Sequence, residues 1–99
     1  MENKINVGDL VVSLSGRDRG SVYLVIQADE KFAVIVNGKT RKVNKPKQKN
    51  LKHLFKIAPS SLTSEAQKIV LKEPFSNERL SKAIKIEIIK NGGTFSVKR

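Results

Sequence analysis

Two stretches hold residues whose types and spacing point to chemistry, and in both the chemistry is contact with phosphate. The first is Ser15-Gly-Arg-Asp-Arg-Gly20, in which Gly16 and Gly20 bracket Arg17 and Arg19. Glycine permits positive φ, which a compact loop of this length needs. A close-set backbone carrying two arginines can meet phosphate oxygens, and the planar guanidinium can bind them bidentately or stack on a base. The plainer alternative is a hairpin loop with solvated charges. The second stretch runs from Lys39 to His53. Lys39, Arg41, Lys45, Lys47 and Lys49 share one parity, so an extended segment would project most of its charge to one side, Val43 apart. Lys42, Lys52 and His53 add to the same region. A phosphate backbone is a line of charge, and cations arrayed along an edge release its counterions on binding. Such contacts supply affinity rather than sequence readout. The alternative is a solvated lysine edge that blocks strand-to-strand aggregation.

Other chemistry finds little footing. His53 is the lone histidine, and it reads first as an exposed or partly packed residue, then as an RNA contact, and last as a general base. There is no cysteine, no HExxH pair and no GxSxG elbow. The glycine loop lacks the Lys-Ser/Thr of a phosphate-binding loop. A metal site would need carboxylates alone, and the acids are scattered. The expectation is a protein that is not an enzyme, with no cofactor, no metal and no small-molecule substrate.

The formal net charge is +11, from twenty Lys and Arg against nine Asp and Glu. That balance favours nucleic acid, anionic membrane or acidic protein partners. The two halves are alike, +5 for 1–50 and +6 for 51–99, yet residues 31–64 hold nine Lys and Arg and no acid. A merely soluble surface would intersperse both signs. No apolar run approaches the roughly 20 residues that span a bilayer, and no signal-peptide core follows Met1-Glu-Asn-Lys4. The expectation is one soluble, cytoplasmic domain without a membrane partner.

The elements that must position these residues follow from periodicity. Met1–Val7 reads as a loose end or a short lead-in strand. Gly8-Asp9 starts a half-buried strand, with Leu10, Val12 and Leu14 on one face and Val11 on the other. Val22–Ile26 is apolar on both parities, as in a strand covered on both faces. Asp29-Glu30 makes a turn, and Phe32–Val36 is a third strand. Asn37-Gly38 is a hairpin signal, which predicts Lys39–Val43 as the returning fourth strand. Pro46 stops or bends it, and Lys45–Lys49 follows as an exposed basic segment. Leu51, Leu54, Phe55 and Ile57 predict a helical turn and then a fifth strand. Ala58–Ser64 reads as a linker or turn. Thr63 or Ser64 could cap a helix through about Lys72, although Ile69-Val-Leu71 suits a strand equally well. Ser76 or Asn77 caps a helix over about 77–90, with Glu78 at its positive end and Gly92-Gly93 as its stop. Its apolar side would dock on the body of the protein or meet a partner. Thr94–Arg99 is a short basic tail. No aromatic pair is clearly exposed, which favours shape and phosphate recognition over base stacking.

Gly8-Asp-Leu-Val-Val-Ser-Leu-Ser-Gly-Arg-Asp-Arg-Gly20 resembles the KOW motif, a strand, a Gly-x-x-Lys/Arg-Gly loop and the next strand. Gly20 matches its characteristic glycine, Arg19 the basic residue before it, and Gly16 the earlier glycine. With Val34-Ile-Val-Asn-Gly38, Arg41-Lys-Val43, Lys45-Pro-Lys47 and Leu51-Lys-His-Leu54, the chain looks like the small bacterial KOW-domain RNA-binding proteins. Those are similar to a KOW-type large-subunit ribosomal protein of archaea and eukaryotes. The resemblance covers about Gly8–Leu54. Val22-Tyr23 stands where many KOW motifs have a further glycine, and residues 57–99 match nothing in the family. What it implies is an SH3-like barrel; with the elements above, the expectation is a mainly β chain, the barrel over 1–58 and a C-terminal extension, 59–99, whose helix packs on it. The resemblance also implies binding of RNA, ribosomal RNA first, on the ribosome or in the translation machinery. The expected RNA-binding residues are Arg17, Arg19, Lys39, Arg41, Lys42, Lys45, Lys47, Lys49, Lys52 and His53. Two other readings stay open: a protein-interaction module of the transcription or translation machinery, and a non-specific nucleic-acid binder.

Overall fold

The computed structural model describes residues 4–59 and 62–90. Ser60 and Ser61 of the expected linker, the Gly92-Gly93 stop and the Thr94–Arg99 tail lie outside them. Five strands, β1 (Leu10–Ser13), β2 (Val22–Ala28), β3 (Phe32–Val36), β4 (Lys47–Asn50) and β5 (Leu54–Ala58), form one antiparallel sheet in the order β4-β3-β2-β1-β5. A 3-10 turn, Leu51–His53, leads from β4 into β5. Two helices follow, α1 (Thr63–Val70) and α2 (Asn77–Lys90). Among the described residues no helix is long and apolar enough to cross a membrane.

The sheet is rolled. Ser13 on β1 and Lys49 on β4 are three strands apart, roughly 14 Å in a flat sheet. Yet Lys49 Nζ lies 2.9 Å from Ser13 Oγ, closer than a lysine side chain could bridge across a flat sheet. Rolling encloses Val11, Tyr23, Val25, Ala33, Ile35 and Leu54 on the inner face, with Ile5 closing over them. The outer face carries Leu10, Leu24, Ile26, Val36 and Ala58, covered by Leu62 just before α1, by Ala66 and Ile69 of α1, and by Phe75, Leu80 and Ile84. β2 supplies both clusters, as its apolar residues on both parities require. β1 is buried along its whole length rather than half-buried, because the roll covers one face and the helices the other. Ile5 is likewise buried, so the start of the described chain is neither a loose end nor a strand.

The fourth strand departs from expectation. Residues 37–46 form a loop, and β4 begins only at Lys47. Asn37 explains the local change: its Oδ1 accepts from the amides of Lys39 and Arg41, both at 2.9 Å, which closes a turn where a ladder would start. Val43 N then donates to Asn77 Oδ1 of α2 (2.8 Å) instead of to a strand. Gly38 sits at φ +81, and a Cβ there would overlap the Asn77 carbonyl oxygen. Pro46, which cannot donate to a ladder, lies immediately before β4. The Lys45–Lys49 segment is therefore not an exposed run: Lys47–Asn50 pairs with β3, Lys47 opposite Ile35 and Lys49 opposite Ala33.

Of the two readings of 63–72, the helix is the one found. Leu62, Ala66 and Ile69 recur at helical spacing and bury one stripe. The capping residue is Leu62, not Thr63 or Ser64. α2 has the expected bounds, and Ser76 caps it, its Oγ accepting from Arg79 N at 3.0 Å. Asn77 is free of that task and holds the 37–46 loop instead.

Candidate nucleic-acid interface

The antiparallel order brings the β1–β2 loop and the β3–β4 loop to the same end of the sheet. The first loop is tightly built. Gly20 N donates to Ser13 O (2.9 Å), Ser21 N to Asp18 O (2.8 Å) and Arg19 N to Gly16 O (3.3 Å). Gly16 and Gly20 take φ of +85 and +90 at its two bends.

Asp18 is the hub. Its Oδ2 accepts from the Tyr23 hydroxyl at 2.7 Å. Its Oδ1 lies 2.8 Å from Lys49 Nζ and 2.9 Å from Ser13 Oγ. The pair is largely out of water, with side-chain exposures of 11% for Lys49 and 19% for Asp18. Burial alone would raise the Asp18 carboxyl. Hydrogen bonds from Lys49, Tyr23 and Ser13, together with the lysine charge, outweigh it and hold the carboxyl at about 2. Burial and the bond to Asp18 push the Tyr23 phenol up to about 12, with Ser21 and Thr40 acting in the opposite sense.

Lys49 consequently leaves the expected set of phosphate contacts. An ammonium has three donors, and these face Asp18 Oδ1, Ser13 Oγ and Ser15 O. The single line of charge from Lys39 to Lys49 does not form either, since 37–46 is not extended. What the fold assembles is a rim. Arg17 and Arg19 are exposed on the first loop, and Lys39, Lys42 and Lys45 on the second, with Arg41 half-buried. Lys47, half-buried, opens β4. Among the described residues none of these seven is in an ion pair. Asp18 is the only acid of the first loop and the second has none, so its pairing with Lys49 leaves the two loops with no unpaired acid of their own. Lys52 and His53 lie apart on the 3-10 turn, Lys52 exposed and His53 half-buried, joined to the first loop where Leu14 N donates to His53 O (2.8 Å).

Sequence reasoning missed the Asp18 network and an exposed aromatic. Both had a signal. A tyrosine inside an apolar strand needs a partner for its hydroxyl, and the nearest acid in the chain is Asp18. In β5, Leu54 is buried and Phe55 is exposed, as period-two alternation demands. A cavity of about 520 Å³ lies between Val43 and Pro46 of the β3–β4 loop and the end of α1, lined mostly by apolar side chains such as Ile26, Val34, Ile69 and Phe75. No protein-family model matches the chain, and no curated protein matches it.

Proposed function

We propose that this chain is an RNA-binding protein built on an SH3-like (KOW) barrel, ribosome-associated and directed first to ribosomal RNA in the cytoplasm. One observation carries the reading: two cation-bearing loops leave the same end of the sheet, and the one acid that the two loops carry is neutralised from within by Lys49. The rolled five-stranded sheet, its strand order and the 3-10 turn before β5 support the barrel. The rim suits a phosphate backbone, because Arg17 and Arg19 offer bidentate contacts and the lysines add point charges.

Ultraviolet crosslinking in cells, with sequencing of the bound RNA, tests it. The control carries Lys39→Gln, Lys42→Gln and Lys45→Gln, exposed positions whose loss leaves the Asp18–Lys49 pair intact. Reads concentrated on one ribosomal RNA segment, and lost in the control, are expected. Sparse reads equal in both proteins would reduce the rim to a solubility device. Equal affinity for duplex DNA and structured RNA would favour a non-specific nucleic-acid binder.

A protein-interaction role has its own support. Ile86 and Ile89 are exposed on α2 beside Lys82 and Lys85. Partner binding that survives moderate salt and is lost in Ile86→Ser with Ile89→Ser would mark that role.

A further inference from the structure

The outer face of the sheet is buried along Leu10, Leu24, Ile26 and Val36, but not at the edge where β1 runs into the arginine loop. There Phe55 is 51% exposed and Leu14 is 43% exposed. Phe55 pairs with Val12 across β1 and β5, and the Leu14 N–H bonds to His53 O at the next step. Phe55 and Leu14 are thus diagonal neighbours on one face. Val12, opposite Phe55 on β1, is 1% exposed. The arginine loop leaves the sheet one residue beyond Leu14. Its conformation is held from below by Ser13, Asp18 and Lys49, while Arg17 and Arg19 remain exposed and without an ion pair among the described residues.

An exposed aromatic ring on β5, beside the strand from which a loop with two exposed arginines departs, matches the two demands of an unpaired nucleotide. The base needs an apolar plane, and the phosphates on either side need cations. A paired base has both faces stacked already and offers the ring nothing. We infer that Phe55, with Leu14 beside it, is a stacking platform for an unpaired RNA base whose flanking phosphates are held by Arg17 and Arg19. The inference rests on the RNA-binding reading and narrows it. The ligand is an RNA with a bulged or looped-out nucleotide rather than a continuous duplex.

The test compares an RNA hairpin bearing a single-nucleotide bulge with its fully paired counterpart, in the full chain. The bulged hairpin should bind about tenfold more tightly. Phe55→Leu keeps an apolar side chain on the strand and removes the ring, so it should abolish the preference while leaving the thermal melt unchanged. Phe55→Trp should retain it. Placing 5-iodouridine at the bulge should give a photocrosslink that maps to Phe55. Equal affinity for the two hairpins, or a preference untouched by Phe55→Leu, would overturn the inference while leaving RNA binding standing. If neither hairpin binds the folded protein at low salt, the RNA-binding reading fails and the platform with it.

Discussion

Lys49 Nζ lies 2.8 Å from Asp18 Oδ1 and joins β4 to the β1–β2 loop across 31 positions of the chain. The contact removes a lysine from the surface, pairs the one acid that the two cationic loops carry, and pins the loop that carries Arg17 and Arg19. Asp18→Asn should therefore destabilise the fold by about 2–3 kcal/mol at neutral pH, since it leaves a largely buried ammonium without its counter-charge. The Asp18 carboxyl sits at about 2 in the fold against an ordinary 3.8. Because the folded value is the lower one, the stabilisation is fully present above about pH 4 and is lost as pH falls through about 2. It amounts to about 2 kcal/mol. Urea unfolding of wild type and Asp18→Asn at pH 7 and pH 2 should show the gap between them shrinking, and a constant gap would contradict the assignment.

Tyr23 is the single tyrosine, so its titration is read directly from ultraviolet absorbance. The phenol should ionise at about 12 in the folded protein and fall only part of the way toward its ordinary value in Asp18→Asn, since burial, the larger cause, persists. A raised folded value means that the neutral phenol stabilises the fold below about pH 10, and that this contribution disappears as pH rises through about 12. Tyr23→Phe removes the bond to the carboxylate and should cost about 1.5–3 kcal/mol. A wild-type phenol that ionises at its ordinary value would break the proposed link to Asp18.

Gly38 and Gly20 both have positive φ, but only Gly38 is crowded. Gly38→Ala drives a methyl into the N-terminal turn of α2 and should cost about 2–4 kcal/mol. Gly20→Ala faces open space and should cost only the conformational term, about 1–2 kcal/mol. Thermal melts of the two variants rank them, and the reverse order would mean that α2 does not rest on this loop.

α2 is held by its inner stripe. Leu80 is fully buried against the outer face of the sheet, whereas Ile86 is exposed. Leu80→Ala should lose about 2–5 kcal/mol, and Ile86→Ser should stay within about 0.5 kcal/mol. Equal, small losses in chemical denaturation would show α2 detached from the sheet in solution.

Salt dependence measures how many cations meet phosphate. If about five of the exposed residues Arg17, Arg19, Lys39, Lys42 and Lys45 do so, log K against log salt has a slope of about −3.5 to −4.5. Lys39→Gln, Lys42→Gln and Lys45→Gln together should flatten it by about 2–3 units. Lys49→Gln should instead lower stability and move the slope little, since its donors are already occupied. An unchanged slope in the triple variant would take the β3–β4 loop out of the interface.

Periodicity and punctuation sufficed for elements whose signals are local. β2 was legible because Val22–Ile26 is apolar on both parities, β5 from Leu54 and Ile57 after the helical turn, and α2 from its cap and its 3.6-residue stripe. The β4 position was not, because Asn37-Gly38 is a hairpin signal whose outcome depends on Asn77, forty residues away, taking the Val43 amide. The helix over 63–70 was ambiguous for the same reason: its short apolar run fits either period, and the outer face of β2 decides.

The chain's charge, the acid-free stretch 31–64 and the glycine-bracketed arginines are properties of composition and order, and they alone select polyanion binding as the expectation. Which cations face solvent is a property of the roll of the sheet. Rolling brings Lys49 onto Asp18 and takes both largely out of water, the Asn37 and Asn77 side chains turn 37–46 into a loop at the same end as Arg17 and Arg19, and Phe55 is left uncovered. A lysine's role is set by the nearest carboxylate in space, and sequence separation does not report that distance.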